Sequence, residues 1–108
     1  MQMFKGDIML VDLGEGSGSE QSGTRPCLVV QNDIGNKYST TTIICPITTQ
    51  KKKFDKTHLS ISGMREGSIA MFEQIRVVDK ARVIKYIRTI TDEEMAQANK
   101  LLLLTLGI

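Results

Sequence analysis

Short apolar runs separated by turn residues fill the chain as far as residue 90, where the hydrophobic period changes. Ile8 to Leu13, Cys27 to Gln31, Thr42 to Ile47, Leu59 to Ile61, Ser68 to Met71, Gln74 to Val78 and Val83 to Ile90 are rich in Val, Ile and Leu. Between them stand Gly14, Gly16, Gly18 and Gly23, then Asp33, Gly35 and Asn36, then Gly63 and Gly67. Short strands joined by turns are predicted throughout this region. The second and third runs hardly alternate between apolar and polar, so both faces of the sheet should be covered there.

Thr91-Asp92-Glu93-Glu94 is a capping box: the Thr91 hydroxyl can accept from the Glu94 amide while the Glu94 carboxylate reaches back, and acidic residues sit at the positive end of the helix dipole. A helix is predicted to start there. Met95, Ala98, Leu102 and Leu106 fall on one stripe, and Leu101, Leu103 and Leu104 widen it beyond what one small core needs. The excess predicts a second apolar surface, most simply covered in a homodimer. The elements together predict a mostly β fold, a small, strongly curved antiparallel barrel or sandwich with a carboxy-terminal helix.

Length and charge narrow the function classes. At 108 residues the chain is expected to be one domain, 1–108, able to bury about two-thirds of its unfolded surface. With 14 basic and 12 acidic residues and a net charge of +2, it would meet nucleic acid through a local patch. Cys27 and Cys45 lie inside apolar runs and match no metal or redox spacing, so both are expected to be reduced and structural. No long uncharged apolar stretch occurs, and a cytoplasmic protein with no membrane association is expected.

Chemistry concentrates between Gly18 and Gln50. The segment from Gly14 to Thr24 holds four glycines, three serines, Glu15, Glu20 and Gln21, longer and more polar than a simple hairpin needs. Arg25 follows it into the second run, and Thr48 and Thr49 leave the third. If those strands are neighbours, about 5 Å apart, Arg25 and Thr48 reach one ligand. Read in isolation, Arg25 before a proline could pin a turn, and Thr48 could be an ordinary β-branched strand end.

The residues Gly18-Ser19-Glu20-Gln21-x-Gly23-x-Arg25-Pro26, joined to Pro46-x-Thr48-Thr49-Gln50, closely resemble the MazF, PemK and Kid family of toxin endoribonucleases. Gly6-Asp7, Gln31-Asn32-Asp33-Ile34-Gly35-Asn36, Glu73-Gln74-Ile75-Arg76 and Asp79-Lys80 extend the resemblance over essentially the whole chain. It implies an SH3-like curved antiparallel barrel, a homodimer, and sequence-selective, ribosome-independent cleavage of single-stranded RNA such as mRNA. A cognate antitoxin whose extended segment occupies the RNA groove is also implied.

Metal-free RNA cleavage by the 2′-hydroxyl needs a proton acceptor, a donor to the departing 5′-oxygen and positive charge beside the phosphate. Arg25 suits the last role, since a guanidinium presents fixed donors to phosphate oxygens. The resemblance makes Arg25 the main catalytic residue, for charge stabilisation with proton donation as a second role open to it, and gives Thr48 a hydroxyl donated to the phosphate. A guanidinium is a poor base at neutral pH, so the base stays open. Glu20 either accepts the 2′-proton or reads an exocyclic amine. Ser19, Gln21, Thr49, Gln50 and Gln74 join Glu20 as RNA-binding candidates. Lys52, within the cluster Lys51, Lys52, Lys53 and Lys56, belongs to what is most often a solvated loop but beside Thr48 could track an RNA backbone or hold an acidic antitoxin, and Phe54 is the favoured base-stacking ring.

His58 is the sole histidine; a two-histidine acid–base pair is therefore excluded, and His58 is kept as a substrate contact. No Asp-x-Asp, His-x-x-x-His or Cys-x-x-Cys spacing occurs, so neither metal nor cofactor is expected. Two rival functions share these features in part: a gyrase-poisoning toxin of the same barrel, which would not need the Arg25 and Thr48 pair, and a non-catalytic RNA-binding barrel.

Overall fold

The computed structural model describes residues 1–50 and 55–108. Among them the strands are β1 (Asp7–Asp12), β2 (Thr24–Val29), β3 (Thr41–Thr48), β4 (His58–Ser60), β5 (Ile69–Met71), β6 (Arg76–Asp79) and β7 (Val83–Thr89). Helices α1 (Asp33–Tyr38) and α2 (Asp92–Leu106) and 3-10 turns at Phe72–Gln74 and Lys80–Arg82 complete the described elements. The strands run in the order β4-β5-β3-β2-β1-β7 with β6 also paired to β3, and every pairing is antiparallel. The 3-10 turn after β6 leads directly into β7 on the far side of β1. The curved sheet thereby wraps around on itself as a partly closed barrel.

The two unalternating runs do have both faces covered. Met9, Val11, Cys27, Val29, Ile44, Val78 and Val83 fill one core. Their neighbours Ile8, Leu28, Cys45 and Ile47 turn the other way and pack with Leu59, Ala70, Phe72, Ile90 and Ala98. Helix α2 and the β4–β5 pair lie over that second face. Successive strand side chains point to opposite faces, so a run buried on both sides must be apolar at every position.

Strand β3 changes partner along its length: Thr41 to Ile44 pair with β6, whereas Ile47 and Thr48 pair with β5. Pro46 sits in the gap between those ladders and faces Cys27 of β2. A proline lacks the N–H that a central strand position must donate, and the change of partner removes that demand.

Two local predictions need correction. Residues 33–36 were expected to form a turn, and they form the start of α1, capped by Asn32, whose side chain accepts from the Gly35 amide at 2.8 Å. Six residues give no readable period, and tertiary bonds hold the helix instead. Asn36 is buried, donates to the Gln31 carbonyl at 2.9 Å and accepts from the Thr42 hydroxyl at 2.7 Å. Gly35 leaves room for the Gln31 amide group, which a Cβ there would approach to 2.8 Å and push aside. Gln74 and Ile75 were likewise expected to open a strand. Phe72–Gln74 is a 3-10 turn, and the strand starts at Arg76, because burial of Phe72 in the second core turns the chain sharply there.

The helix start is as expected. Glu94 donates its backbone N–H to the Thr91 hydroxyl at 3.1 Å and its carboxylate accepts from the Thr91 amide at 2.9 Å. The same carboxylate accepts from the Ser62 amide at 2.8 Å and the Ser62 hydroxyl at 3.2 Å, tying α2 to the loop between β4 and β5. Burial pushes the Glu94 carboxyl up, but the bonds from Thr91 and Ser62 outweigh it and hold the group below its ordinary 4.5. A depressed folded pKa stabilises the fold above the unfolded value and loses that contribution as pH falls through the folded one. Glu94→Ala is expected to cost about 2 kcal/mol at neutral pH, from a lost cap and lost charge-assisted bonds. In urea denaturation the gap to wild type should narrow as pH falls below 4.5; a gap independent of pH would remove the ionised carboxylate from this role.

Candidate functional site

The β2–β3 register pairs Cys27 with Pro46 and Leu28 with Cys45. Arg25 and Thr48 each lie two residues beyond the outermost of these pairs, so the alternation of strand side chains puts them on the same face as Cys27 and Pro46. Both line a cleft of about 390 Å³, together with Thr49, Gln50, Met64, Arg65 and Ser68. Arg25 is held by its Nε, which donates to the Ser22 carbonyl at 2.8 Å, and its terminal guanidinium nitrogens remain for the cleft. Thr48 is buried, and its hydroxyl oxygen accepts from the Gln50 amide at 3.1 Å. Its hydroxyl hydrogen is thus available to donate outward. The charged residues lining this cleft among the described residues are Arg25 and Arg65, both cationic.

A second cleft of about 580 Å³ opens one step further along β3, at Pro46. Ser19, Glu20, Gln21, Glu73, Gln74 and Arg76 line it. Gln74 fastens the long loop over this cleft: its Oε1 accepts from the Gln21 amide at 2.9 Å and its Nε2 donates to the Ser19 carbonyl at 2.8 Å. At the loop's base the Leu13 amide donates to the Gly23 carbonyl and the Gly23 amide to the Gly14 carbonyl, at 2.9 and 2.7 Å. The glycine-rich segment is therefore anchored at both its base and its crown. Gly14 and Gly23 both have positive φ, 70° and 73°, which side-chain-bearing residues rarely adopt.

Glu73 supplies the second cleft with a fixed carboxylate. One oxygen accepts from the Thr57 hydroxyl at 2.8 Å and the other from His58 Nε2 at 2.9 Å. Burial pushes its pKa up, but the bonds from His58 and Thr57 outweigh this and leave it below its ordinary 4.5. Glu73 is therefore an anion at neutral pH, and with lone pairs to spare it can accept from a ligand's amine.

The structure divides the predicted site residues between two adjoining clefts. Arg25, Thr48, Thr49 and Gln50 line the first; Ser19, Glu20, Gln21 and Gln74 line the second. Glu20 therefore stands in the cleft next to the one that Arg25 and Thr48 share. His58 lines neither cleft; its nearly buried ring pairs with Glu73. Lys52 and Phe54, with Lys51 and Lys53, lie outside the described residues. Sequence reasoning missed Glu73 and Arg76, although Glu73-Gln74-Ile75-Arg76 stood out as a motif. It also missed Arg65, whose signal was an arginine between two turn glycines, Gly63 and Gly67.

The cysteines take no part in this chemistry. Both are free and buried. Burial pushes the Cys27 thiol to about 12 despite the nearby positive charges of Arg25 and Arg76, and Cys45 is also raised well above the ordinary range by burial. Neither forms a thiolate at neutral pH.

Comparison with known proteins gives consistent matches. Residues 4–106 match the family described as PemK-like, MazF-like toxin of type II toxin–antitoxin systems. The endoribonuclease EndoA of Bacillus subtilis is 41% identical over 113 aligned residues, which take in 100% of this chain and 97% of that protein. The crystal structure of MazF from Deinococcus radiodurans superposes with a TM-score of 0.86 at 19% identity, covering 100% of this chain and 99% of the other. An endoribonuclease from a mycobacterial species, solved in complex with its cognate antitoxin, superposes with a TM-score of 0.79 at 20% identity, covering 99% and 95%. At those identities the superpositions show a shared fold.

Proposed function

The chain belongs to the PemK-like, MazF-like toxin family of type II toxin–antitoxin systems, and from that premise we propose that it is an endoribonuclease that cuts single-stranded RNA in the cleft between β2 and β3. The observation that carries this reading is the shared cleft of Arg25 and Thr48, lined among the described residues by cationic charge alone. A scissile phosphate set there meets the Arg25 guanidinium on its non-bridging oxygens, where negative charge builds as the 2′-hydroxyl attacks, and the Thr48 hydroxyl donates to the same group. The 2′-oxygen bonds to phosphorus as the bond to the 5′-oxygen breaks, water taking the 2′-proton and returning one to the departing oxygen, so that a 2′,3′-cyclic phosphate and a 5′-hydroxyl result. The adjoining cleft, with its loop fastened by Gln74, takes a neighbouring nucleotide. Ser19, Glu20 and Gln21 offer it polar contacts, and the Glu73 anion can accept from an exocyclic amine.

Charge stabilisation supplies the main rate gain in this reading, and the first cleft's described lining includes neither carboxylate nor imidazole. No three His, Cys, Asp or Glu side chains gather as a metal site among the described residues. The test is to incubate the protein, with chelator, on a single-stranded RNA and on the same strand carrying a 2′-deoxy nucleotide at the cleaved step. Cleavage of the all-ribose strand alone is expected, while cutting of both would reject attack by the neighbouring hydroxyl.

A cognate antitoxin and a second copy of the chain are the proposed partners. The antitoxin follows from the family. The second copy follows from Leu103, Leu104, Leu106 and Ile108, all exposed on the protomer by 52% or more. Removing that much aliphatic surface from water favours association by about 25 cal/mol per Å² buried. Sedimentation at micromolar concentration should give a dimer mass, and Leu104→Asp a monomer; a wild-type monomer would overturn the assignment. No helix among the described residues is long and apolar enough to cross a membrane, and action in the cytoplasm is proposed with the RNA substrate.

A further inference from the structure

Arg65 stands in the same cleft as Arg25 and Thr48, yet it comes from a different part of the chain, the connection between β4 and β5. Its charge takes part in no ion pair among the described residues. Its backbone is closely held: the Arg65 carbonyl accepts from the Ser68 hydroxyl at 2.6 Å and from the Ser68 amide at 3.1 Å. Ser68 in turn accepts at its carbonyl from the Ile61 amide at 3.0 Å. At the other end Ser62 is bound by the Glu94 carboxylate, and its carbonyl accepts from Arg88. Met64 packs against the second core. Arg65 is thus an exposed arginine with no ion pair among the described residues, carried on a loop fixed at both ends and lining a cleft that already holds a guanidinium. An anion seated in that cleft is attracted by both cations.

The geometry points to Arg65 as a second phosphate-binding residue, holding the strand's backbone on the cleft wall opposite β2 and β3 while Arg25 and Thr48 hold the scissile group. This assignment rests on the RNA-cutting reading above for its substrate. Arg65 binds the phosphodiester next to the scissile one, as a positioning residue. Its contribution belongs to the ground state and transition state alike and should appear in affinity and its salt dependence.

The test uses a short single-stranded DNA of mixed sequence, which carries the same phosphates and, lacking 2′-hydroxyls, stays intact. Fluorescence anisotropy over a series of salt concentrations gives Kd and its salt slope. Arg65→Ala is expected to weaken binding about tenfold at low salt, the scale of one charge-assisted hydrogen bond. Its slope of log Kd against log salt should be shallower by about 0.7, the value for one lost contact on a single strand. Arg65→Lys should keep most of the slope. Lys37→Ala, on α1 and lining a different cavity, controls for net charge. An unchanged Kd and slope for Arg65→Ala overturns the proposal, as does an equal loss in Lys37→Ala. On an RNA strand, Arg65→Ala should raise KM with kcat within about threefold of wild type. A wild-type protein that binds the DNA but leaves RNA uncut defeats the endoribonuclease reading while the anisotropy result still decides the role of Arg65.

Discussion

Arg25→Ala is expected to slow RNA cleavage by about a thousandfold, the upper end of what losing one preorganised donor to a developing oxyanion costs. The substitution removes the guanidinium nitrogens that face the cleft and leaves Thr48 as the remaining donor from the pair. Arg25→Lys should recover only a small part of the rate, because an ammonium restores the charge without the planar fork that meets two phosphate oxygens at once. The fold should survive: Arg25 sits at the outer end of β2, its described side-chain bond is to the Ser22 carbonyl, and the core residues Cys27 and Leu28 follow it. Single-turnover cleavage rates beside thermal unfolding curves separate the two effects. A variant that unfolds at the wild-type temperature and cuts at the wild-type rate would remove Arg25 from the mechanism.

Phe72→Ala is expected to have the largest effect on stability, about 3–5 kcal/mol, the usual cost of emptying a buried phenyl site. Phe72 is fully buried in the second core, and its amide donates to the Thr57 carbonyl at 3.0 Å. The side chain anchors a 3-10 turn whose next two residues are Glu73 and Gln74. The cavity therefore loosens the carboxylate of the second cleft and the clamp on the long loop together. A domain of this size has about 5–15 kcal/mol in total, so the unfolding midpoint should fall by about 15 °C. Substrate selectivity should also degrade well below that midpoint. A loss under about 1 kcal/mol by urea denaturation would show that the turn is held by its backbone bonds alone.

The parts of the fold that were legible in the sequence are those with a strong local signal. The runs at Cys27 and Thr42 lacked alternation because both faces are packed, and the capping box at Thr91 is a set of reciprocal bonds within four residues. α1 was hidden because its stability comes from Asn36 bonding to Gln31 and Thr42, contacts that no periodicity records. The pairing of Arg25 with Thr48 could be anticipated from strand ends and motif spacing. Its division from Glu20 could not, since the loop bearing Glu20 is fastened to Gln74, more than 50 residues away in the chain. Arg65 was overlooked for a similar reason: it reaches the cleft only through the β4–β5 turn, whose position is fixed by Ser62 and Glu94, 32 residues apart.

That last link has a consequence for biosynthesis. Arg25, Thr48 and Arg65 all emerge from the ribosome before α2, but the wall bearing Arg65 is secured through Ser62 to a carboxylate on α2. A nascent chain can pair β2 with β3 and still present an incomplete groove. The wall bearing Arg65 is therefore the last part of the groove to be fastened, once translation has passed α2.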